Sequence, residues 1–146
     1  MKYISLKHRF VRLFPENLEP GILYVSVEFN NVTHVCCCGC GEEVSTPLSP
    51  AEWQLTYDGR TVSLSPSIGS WQLPCKSHYF IRQGRVLEAG RWSDDQIALG
   101  QRRDQLARER QFVSDRTVAK VSKAPTENQL VRKNGVRRLI DWILGK

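Results

Sequence analysis

The sequence lacks a long apolar run, and this absence limits the classes of protein to which the chain can belong. No hydrophobic stretch approaches the roughly 18 residues expected of a membrane-spanning helix. The N-terminal segment interrupts its apolar residues with Lys2, Lys7 and Arg9, so it has no continuous apolar core of the kind found in signal peptides. The sequence therefore predicts a cytoplasmic protein with no membrane partner.

Cysteine is scarce along most of the chain and concentrated in one short segment. Cys36, Cys37, Cys38 and Cys40 lie within five positions, and the fifth cysteine, Cys75, follows Cys40 by 35 positions. Thiols packed this closely cannot all pair with one another as disulfides, whereas they can share a soft metal ion. The cysteines therefore indicate a reducing compartment and a metal site.

Ligand geometry selects among these thiols. Two sulfur atoms bound tetrahedrally to one Zn²⁺ are about 3.8 Å apart, whereas Cys36 and Cys40 in a straight strand would be ~13 Å apart. The chain must therefore turn within the cluster, and Gly39 and Gly41 favour a turn. Cys37 points the opposite way and is the expected spare thiol. The predicted ligands of a structural Zn²⁺ are Cys36, Cys38, Cys40 and Cys75.

Two histidines and a metal-free reading remain as alternatives. His78 follows Cys75 by three positions, so it can replace one thiolate as a ligand, and His34 is a further candidate. The plainest alternative is that the cysteines are small buried side chains that bind nothing.

A serine-rich segment between the cysteines offers a second kind of chemistry. Pro66 and Gly69 bracket Ser67 in a short turn, and His78 can serve as the base that a serine nucleophile needs if the metal loop folds it back. His34 can orient or replace His78, and the backbone N–H groups near Gly69 are candidate oxyanion donors. No GxSxG motif is present, so the residues alone leave catalysis and ordinary loop serines as alternatives. The other serines of the segment are Ser63, Ser65, Ser70 and Ser77.

The first part of the chain has the pattern of a small antiparallel β domain. Residues 21–29 alternate as in a half-buried strand, with a turn expected at Asn30 before the next strand. Residues 53–65 and 77–89 are predicted hairpins that turn at Asp58-Gly59 and Gln83-Gly84. Residues 47–53 are expected to form a loop with a short helical turn.

The last part of the chain is basic and contains neither cysteine nor histidine. Residues 1–92 carry nine Lys or Arg and eight Asp or Glu, whereas residues 93–146 carry twelve and seven. Ser93, with Gln96 three positions later, predicts a helix that begins there and runs to about Phe112. A linker over 114–128 and a second, amphipathic helix, which can pack on another copy of the chain, are expected to follow.

These patterns predict an α+β fold with two parts. A zinc-stabilised antiparallel β domain over residues 1–92, with catalytic candidates, precedes a basic helical extension over residues 93–146. Such a fold also permits a non-catalytic alternative, a zinc-binding module that contacts nucleic acid or a protein through its basic tail. Against nucleic acid, the basic residues are interleaved with acids and are not organised with aromatic residues into a stacking surface.

Three motifs together resemble a known bacterial family. They are Cys36-x-Cys38-Gly39-Cys40-Gly41, Pro66-Ser67-Ile68-Gly69-x-Trp71 and Cys75-x-Ser77-His78-Tyr79. Over about residues 20–92 the chain resembles the BubE family, which is found in operons that encode Bub, or bacterial ubiquitination-like, conjugation systems.

The resemblance implies a serine-dependent peptidase or isopeptidase that acts like a deubiquitinase on the C-terminal linkage of a ubiquitin-like protein, in antiphage defence. It implies that Ser67 and His78 are the reactive pair and that the thiolates hold a structural ion; the third catalytic residue is not identified. The expected partners are the ubiquitin-like protein and its conjugation enzymes. An extended tail of that partner can add to the domain as a strand, with Trp53, Trp71 and Tyr79 lining the groove.

Overall fold

Eight short strands form two four-stranded sheets in residues 1–122, the part of the chain that this computed structural model describes. The first sheet consists, in order, of β1 (Lys7–Phe10), β2 (Ile22–Ser26), β3 (Asn31–Val35) and β4 (Glu43–Pro47). The second consists of β5 (Gln54–Tyr57), β6 (Val62–Gly69), β7 (His78–Arg82) and β8 (Arg85–Glu88). Neighbouring strands are antiparallel except β1 and β2, which are parallel. With helix α1 (Asp94–Ser122), this confirms the α+β class.

Both sheets contribute to one hydrophobic core. The first sheet supplies Leu23, Val25, Val32 and Val44, and the second supplies Val62, Leu64, Ile68, Tyr79, Ile81 and Val86. Cys36 and Cys37, which directly follow β3, belong to the same cluster. The start of the cysteine segment is therefore anchored in the core, because fully burying side chains of this kind removes apolar surface from water.

Strand β2 is shorter and more deeply buried than the sequence predicts. It ends at Ser26 rather than at residue 29, and Tyr24 and Ser26, expected on an exposed face, are buried. The preceding segment covers that face: Tyr24 Oη donates to Glu19 and Ser26 Oγ donates to the Arg12 carbonyl. Strand β1, which the sequence pattern did not predict, pairs with β2 at the edge of the first sheet.

The two predicted hairpins form with different turns. Gln83 and Gly84 both have positive φ, 50° and 73°, and join β7 to β8 as a two-residue primed turn, which confirms that prediction. Asp58-Gly59 instead begins a four-residue loop, because the Asp58 carboxylate accepts hydrogen bonds from the N–H groups of Arg60 and Thr61.

The segment 47–53 is partly as expected, and helix α1 is longer than expected. Residues 49–52 form a single hydrogen-bonded turn, in which the Glu52 N–H donates to the Ser49 carbonyl, inside a loop closed by a β-bridge between Leu48 and Trp53. The reciprocal bonds between Ser93 and Gln96 confirm the helix start. The helix continues past Phe112 to Ser122, so residues 114–122 are helical rather than linker. Residues 114–118 are exposed and mostly polar, so they gave no apolar period to detect.

The described part of the chain ends before the predicted second helix. The amphipathic segment within 128–146 therefore lies outside the described residues. Residues 1–109 form one compact unit, which holds both sheets and the first part of α1. Within residues 1–122, no helix has both the length and the apolar character needed to cross a membrane.

Candidate active site and metal centre

A turn after β3 brings the clustered cysteines together. The Gly39 N–H donates to the Cys36 carbonyl and the Cys36 N–H donates to the Glu42 carbonyl, so the chain reverses within the cluster. Gly39 and Gly41 both have φ of +91°, a conformation that side chains on L-residues disfavour. The cluster therefore turns at its glycines instead of extending β3.

Four sulfur atoms converge at this turn. Cys36 Sγ lies 3.5 Å from Cys38 Sγ and 3.9 Å from Cys75 Sγ, and Cys40 Sγ lies 3.7 Å from Cys75 Sγ. All four sulfur atoms lie within 4.8 Å of one another. Sulfurs around one tetrahedral ion are spaced by about 3.8 Å, so the thiols fit a metal site with four protein ligands.

Cys37 is separate from this metal site. It is fully buried in the core cluster, and burial raises the pKa of its thiol to about 12, so the side chain stays protonated near neutral pH. Its position agrees with the sequence-based prediction of the spare thiol.

Ser77 lies against the metal site. Its Oγ is 3.1 Å from Cys36 Sγ and 3.6 Å from Cys75 Sγ. Burial acts to raise the pKa of Cys75, but its hydrogen bonds with the Ser77 side chain and backbone, and with the Cys38 and Cys40 thiols, lower it to about 7. Ser77 therefore favours the thiolate that a metal requires, and its hydroxyl is engaged by sulfur rather than by a histidine.

His78 of β7, three residues after Cys75, contacts Ser67 of β6. His78 Nε2 lies 2.9 Å from Ser67 Oγ, and His78 Nδ1 lies 2.9 Å from the Gly90 carbonyl oxygen. Because a carbonyl oxygen can only accept a hydrogen bond, the ring proton is on Nδ1. The Nε2 lone pair therefore accepts a hydrogen bond from the Ser67 hydroxyl. Both ring nitrogens are thus occupied, which excludes His78 from the ligand set that the sequence left open.

Two tryptophans hold the His78 ring. The ring centroids of Trp71 and Trp92 are each 5.0 Å from that of His78, and the two indoles stack on each other at 5.3 Å. Trp71 lies over Gly69 so closely that a Cβ there would be 2.2 Å from the indole. Trp92 packs in the same way over Gly100, where a Cβ would be 2.8 Å away, so α1 supports the histidine through this indole.

His34 lies elsewhere in the molecule. It is fully buried on β3, its Nε2 lies 2.8 Å from Tyr79 Oη, and its Nδ1 has no hydrogen-bond partner within the described residues. Burial lowers its pKa to about 4, so the ring is neutral. His34 is not among the grouped metal-binding residues, and the orienting position beside His78 is filled by the Gly90 carbonyl instead.

The structure corrects the expectation for Tyr79 and keeps the two tryptophans at the surface. Tyr79 is fully buried in the core, because its side chain turns toward His34, so it cannot line an open groove. Trp53 and Trp71 are half-buried and line a groove of about 320 Å³ between β4 and the end of β6. Trp53 Nε1 also donates to the Ser67 carbonyl, which fixes one wall of the groove to the serine.

Sequence reasoning missed Gly90 and Trp92. A backbone carbonyl carries no side-chain signature, so nothing in the sequence identifies Gly90 as the partner of a histidine. Trp92 had a weak signal, since it is an apolar residue directly before the helix cap at Ser93, a position that often packs on its own helix.

Comparison with known proteins identifies a family. The family described as bacterial ubiquitination-like system serine protease (BubE) matches residues 10–89, more than half of the chain. The chain therefore belongs to this family of serine proteases, and the matched region includes Ser67, His78 and all five cysteines. No curated protein and no solved structure matches the chain.

Proposed function

We propose that this member of the BubE family is a peptidase or isopeptidase that cleaves the C-terminal linkage of a bacterial ubiquitin-like protein, with Ser67 as nucleophile and His78 as general base. One observation carries the proposal: Ser67 Oγ, His78 Nε2, His78 Nδ1 and the Gly90 carbonyl form a continuous hydrogen-bonded chain, with both links at 2.9 Å. This is the arrangement of nucleophile, base and orienting group that serine catalysis needs.

In the first half of the reaction, Ser67 Oγ attacks the carbonyl carbon of the scissile bond while its proton passes to His78 Nε2. The resulting imidazolium keeps its hydrogen bond to the Gly90 carbonyl and then gives a proton to the leaving amine, which leaves an acyl group on Ser67. In the second half, water attacks the acyl carbon, its proton passes through His78, and Ser67 regains its hydroxyl.

The backbone of β6 offers a candidate donor to the oxyanion. The Ser70 N–H donates to the Ser77 carbonyl, and this bond fixes the alternation of the β6–β7 ladder. The Ile68 N–H therefore faces β7, whereas the Gly69 N–H faces the opposite edge. In this proposal the Gly69 N–H, two residues after Ser67, stabilises the developing negative charge.

We assign a structural role to the ion, which we propose is Zn²⁺ held by Cys36, Cys38, Cys40 and Cys75. A closed set of four thiolates favours a structural site over a catalytic one. The ion would fasten the loop after β3 to the segment before β7, and its binding would contribute folding free energy to the domain. Thiolate ligands also suit the reducing cytoplasm in which we place the protein.

The test is cleavage of the ubiquitin-like protein fused to a C-terminal extension. We expect the wild-type protein to release the extension and Ser67→Ala to lose at least ~10³-fold in kcat, as expected when a catalytic serine is removed. Ser65→Ala is the matched control, because it removes an exposed hydroxyl two residues earlier on β6. A Ser67→Ala protein that keeps its activity, with melting temperature and metal content unchanged, would refute the assignment.

A further inference from the structure

Within residues 1–122, the outer edge of strand β4 carries backbone groups that have no hydrogen-bond partner. The Cys36 N–H donates to the Glu42 carbonyl, and the Leu48 N–H donates to the Asn30 carbonyl, so these bonds fix the alternation along the β3–β4 ladder. Backbone N–H and C=O groups in an antiparallel pair face the partner strand at every second residue. The groups of Val44 and Thr46 therefore face β3, and those of Glu43 and Ser45 face outward.

The outward groups open onto the groove beside Ser67. Glu43 and Ser45, both exposed, form one wall of the groove of about 320 Å³, and Ile68, Gly69 and Trp71 lie on the other. Gly69 also turns its backbone N–H and C=O away from β7. Outward-facing backbone groups of β4 and of the end of β6 thus face the same groove, and Gly69 lies two residues after the proposed nucleophile.

The far end of the edge is closed by the protein itself. The Trp53 N–H donates to the Pro47 carbonyl, so the next outward-facing carbonyl of β4 already has a partner. Pro47 has no N–H to offer. The open edge is therefore limited to Glu43 and Ser45, which is enough for one short extended segment.

We infer that this groove takes an extended segment of the substrate as an added strand, hydrogen-bonded to Glu43 and Ser45 of β4. The inference rests on the proposed function and names the surface that would deliver the scissile bond to Ser67. Exposed edge strands are templates for pairing with an extended peptide, and main-chain hydrogen bonds supply the affinity of such pairing. The exposed Glu43 carboxylate, next to Glu42, favours a segment that carries a basic side chain.

Proline at position 45 isolates the backbone contact. Ser45→Pro removes the outward N–H without touching the bonds from Val44 and Thr46 to β3, and proline is tolerated on edge strands for this reason. Ser45→Ala is the matched control, because it removes the hydroxyl that bonds to Asn31 but keeps the N–H.

The experiment measures binding of a fluorescently labelled peptide, the C-terminal segment of the ubiquitin-like protein, to chains that also carry Ser67→Ala. We expect Ser45→Pro to weaken binding about 2- to 10-fold, the value of one backbone hydrogen bond, and Ser45→Ala to bind like the parent. Equal affinity of Ser45→Pro and Ser45→Ala would overturn the inference. So would the absence of peptide binding to the parent.

Two further readings keep this inference separate from the proposed function. If the wild-type chain fails to cleave the fusion but the peptide still binds in a Ser45→Pro-sensitive way, the proposed reaction falls and the docking edge stands. If Ser45→Pro cleaves the fusion with unchanged KM, the docking edge falls and the reaction stands. Should Ser45→Pro fail to fold, amide exchange decides: slower exchange of the Glu43 and Ser45 N–H groups on peptide addition supports the edge, and unchanged exchange refutes it.

Discussion

The two ends of the second sheet are held together by different kinds of contact. At one end, the loop between β5 and β6 is closed by Asp58, which bonds to Arg60 and Thr61, and Gln83-Gly84 makes a tight turn between β7 and β8. At the other end, His78 bonds to Ser67 and Gly90, and Cys75 meets Cys36. The first end, called the hairpin end below, depends mainly on residues close in sequence. The second, called the site end, depends on residues that only the tertiary fold brings together.

Contacts at the hairpin end are therefore expected to affect mainly stability, and contacts at the site end mainly the proposed function. Local turn contacts fix how the strands pair, and removing one is expected to cost little, since the ladders remain. The site end places groups from three segments around His78 of β7: Ser67 of β6, Trp71 between β6 and β7, and Gly90 and Trp92 after β8. Its geometry is therefore expected to be sensitive to single changes that leave the sheets intact.

The largest effect is expected at the four clustered thiols, where Cys75 of the site end meets the cysteines that follow β3 of the first sheet. Cys75→Ser should lose the ion and several kcal/mol of folding free energy, because structural zinc sites contribute about 10–16 kcal/mol of apparent binding free energy. A loss of this size approaches the whole stability of a small domain, about 5–15 kcal/mol. Elemental analysis of the purified protein and thermal melting measure the two losses.

Cys37→Ala is the control for that experiment. Its thiol is buried in the core and stands apart from the four converging sulfurs, so we expect an unchanged metal content and a loss of about 1 kcal/mol from weaker packing. The reverse outcome, with metal lost in Cys37→Ala and kept in Cys75→Ser, would contradict the assigned ligand set.

A smaller effect, on activity more than on stability, is expected from Gly69→Ala. The new Cβ would stand 2.2 Å from the Trp71 indole, so the indole that packs on His78 must shift. We expect kcat for the fusion substrate to fall roughly 10- to 100-fold, since displacement of a catalytic group by about 1 Å costs that much. Metal content should not change, because no ligand lies on β6.

Gly59→Ala tests whether general destabilisation could explain that loss. Gly59 lies at the hairpin end with φ of +90° and open space around it, so alanine there is strained in its backbone but clashes with nothing. The substitution should lower the melting temperature and leave kcat unchanged. If Gly59→Ala reduced kcat as strongly as Gly69→Ala, the Trp71 contact could not be the cause.

The sequence predicted the hairpin end better than the site end, for a physical reason. Asp58-Gly59 and Gln83-Gly84 are signals carried by neighbouring residues, and each marks a real turn, although the first loop is longer than predicted. The four thiols were also predictable, because their crowding and two glycines leave few alternatives.

What the sequence could not supply depends on contacts between distant segments. Tyr24 is buried on the strand face that the alternating pattern marks as exposed, because a loop covers it. Tyr79 was expected to line a groove, but it is buried in the core that the two sheets share. Every residue has a backbone carbonyl, so no residue type identifies the Gly90 carbonyl as the partner of His78. Residues 114–117 are polar and exposed, so no apolar period distinguishes this part of the helix from a linker.

The smallest effect is expected at the hairpin end, from Asp58→Ala. Hydrogen bonds from the Thr61 hydroxyl, the Thr61 N–H and the Arg60 N–H lower the pKa of Asp58 to about 2. A lowered pKa means that the stabilisation is complete above the unfolded-state value and is lost only as pH falls toward 2. We therefore expect a small drop in melting temperature that stays constant between about pH 5 and 8, where metal binding can be held fixed. Cleavage of the fusion should be unaffected, because this loop lies at the far end of β6 from Ser67. A melting difference that shrinks as pH falls from neutral to 5 would contradict the lowered pKa of Asp58, and a loss of kcat would show that the two ends are coupled more closely than their contacts indicate.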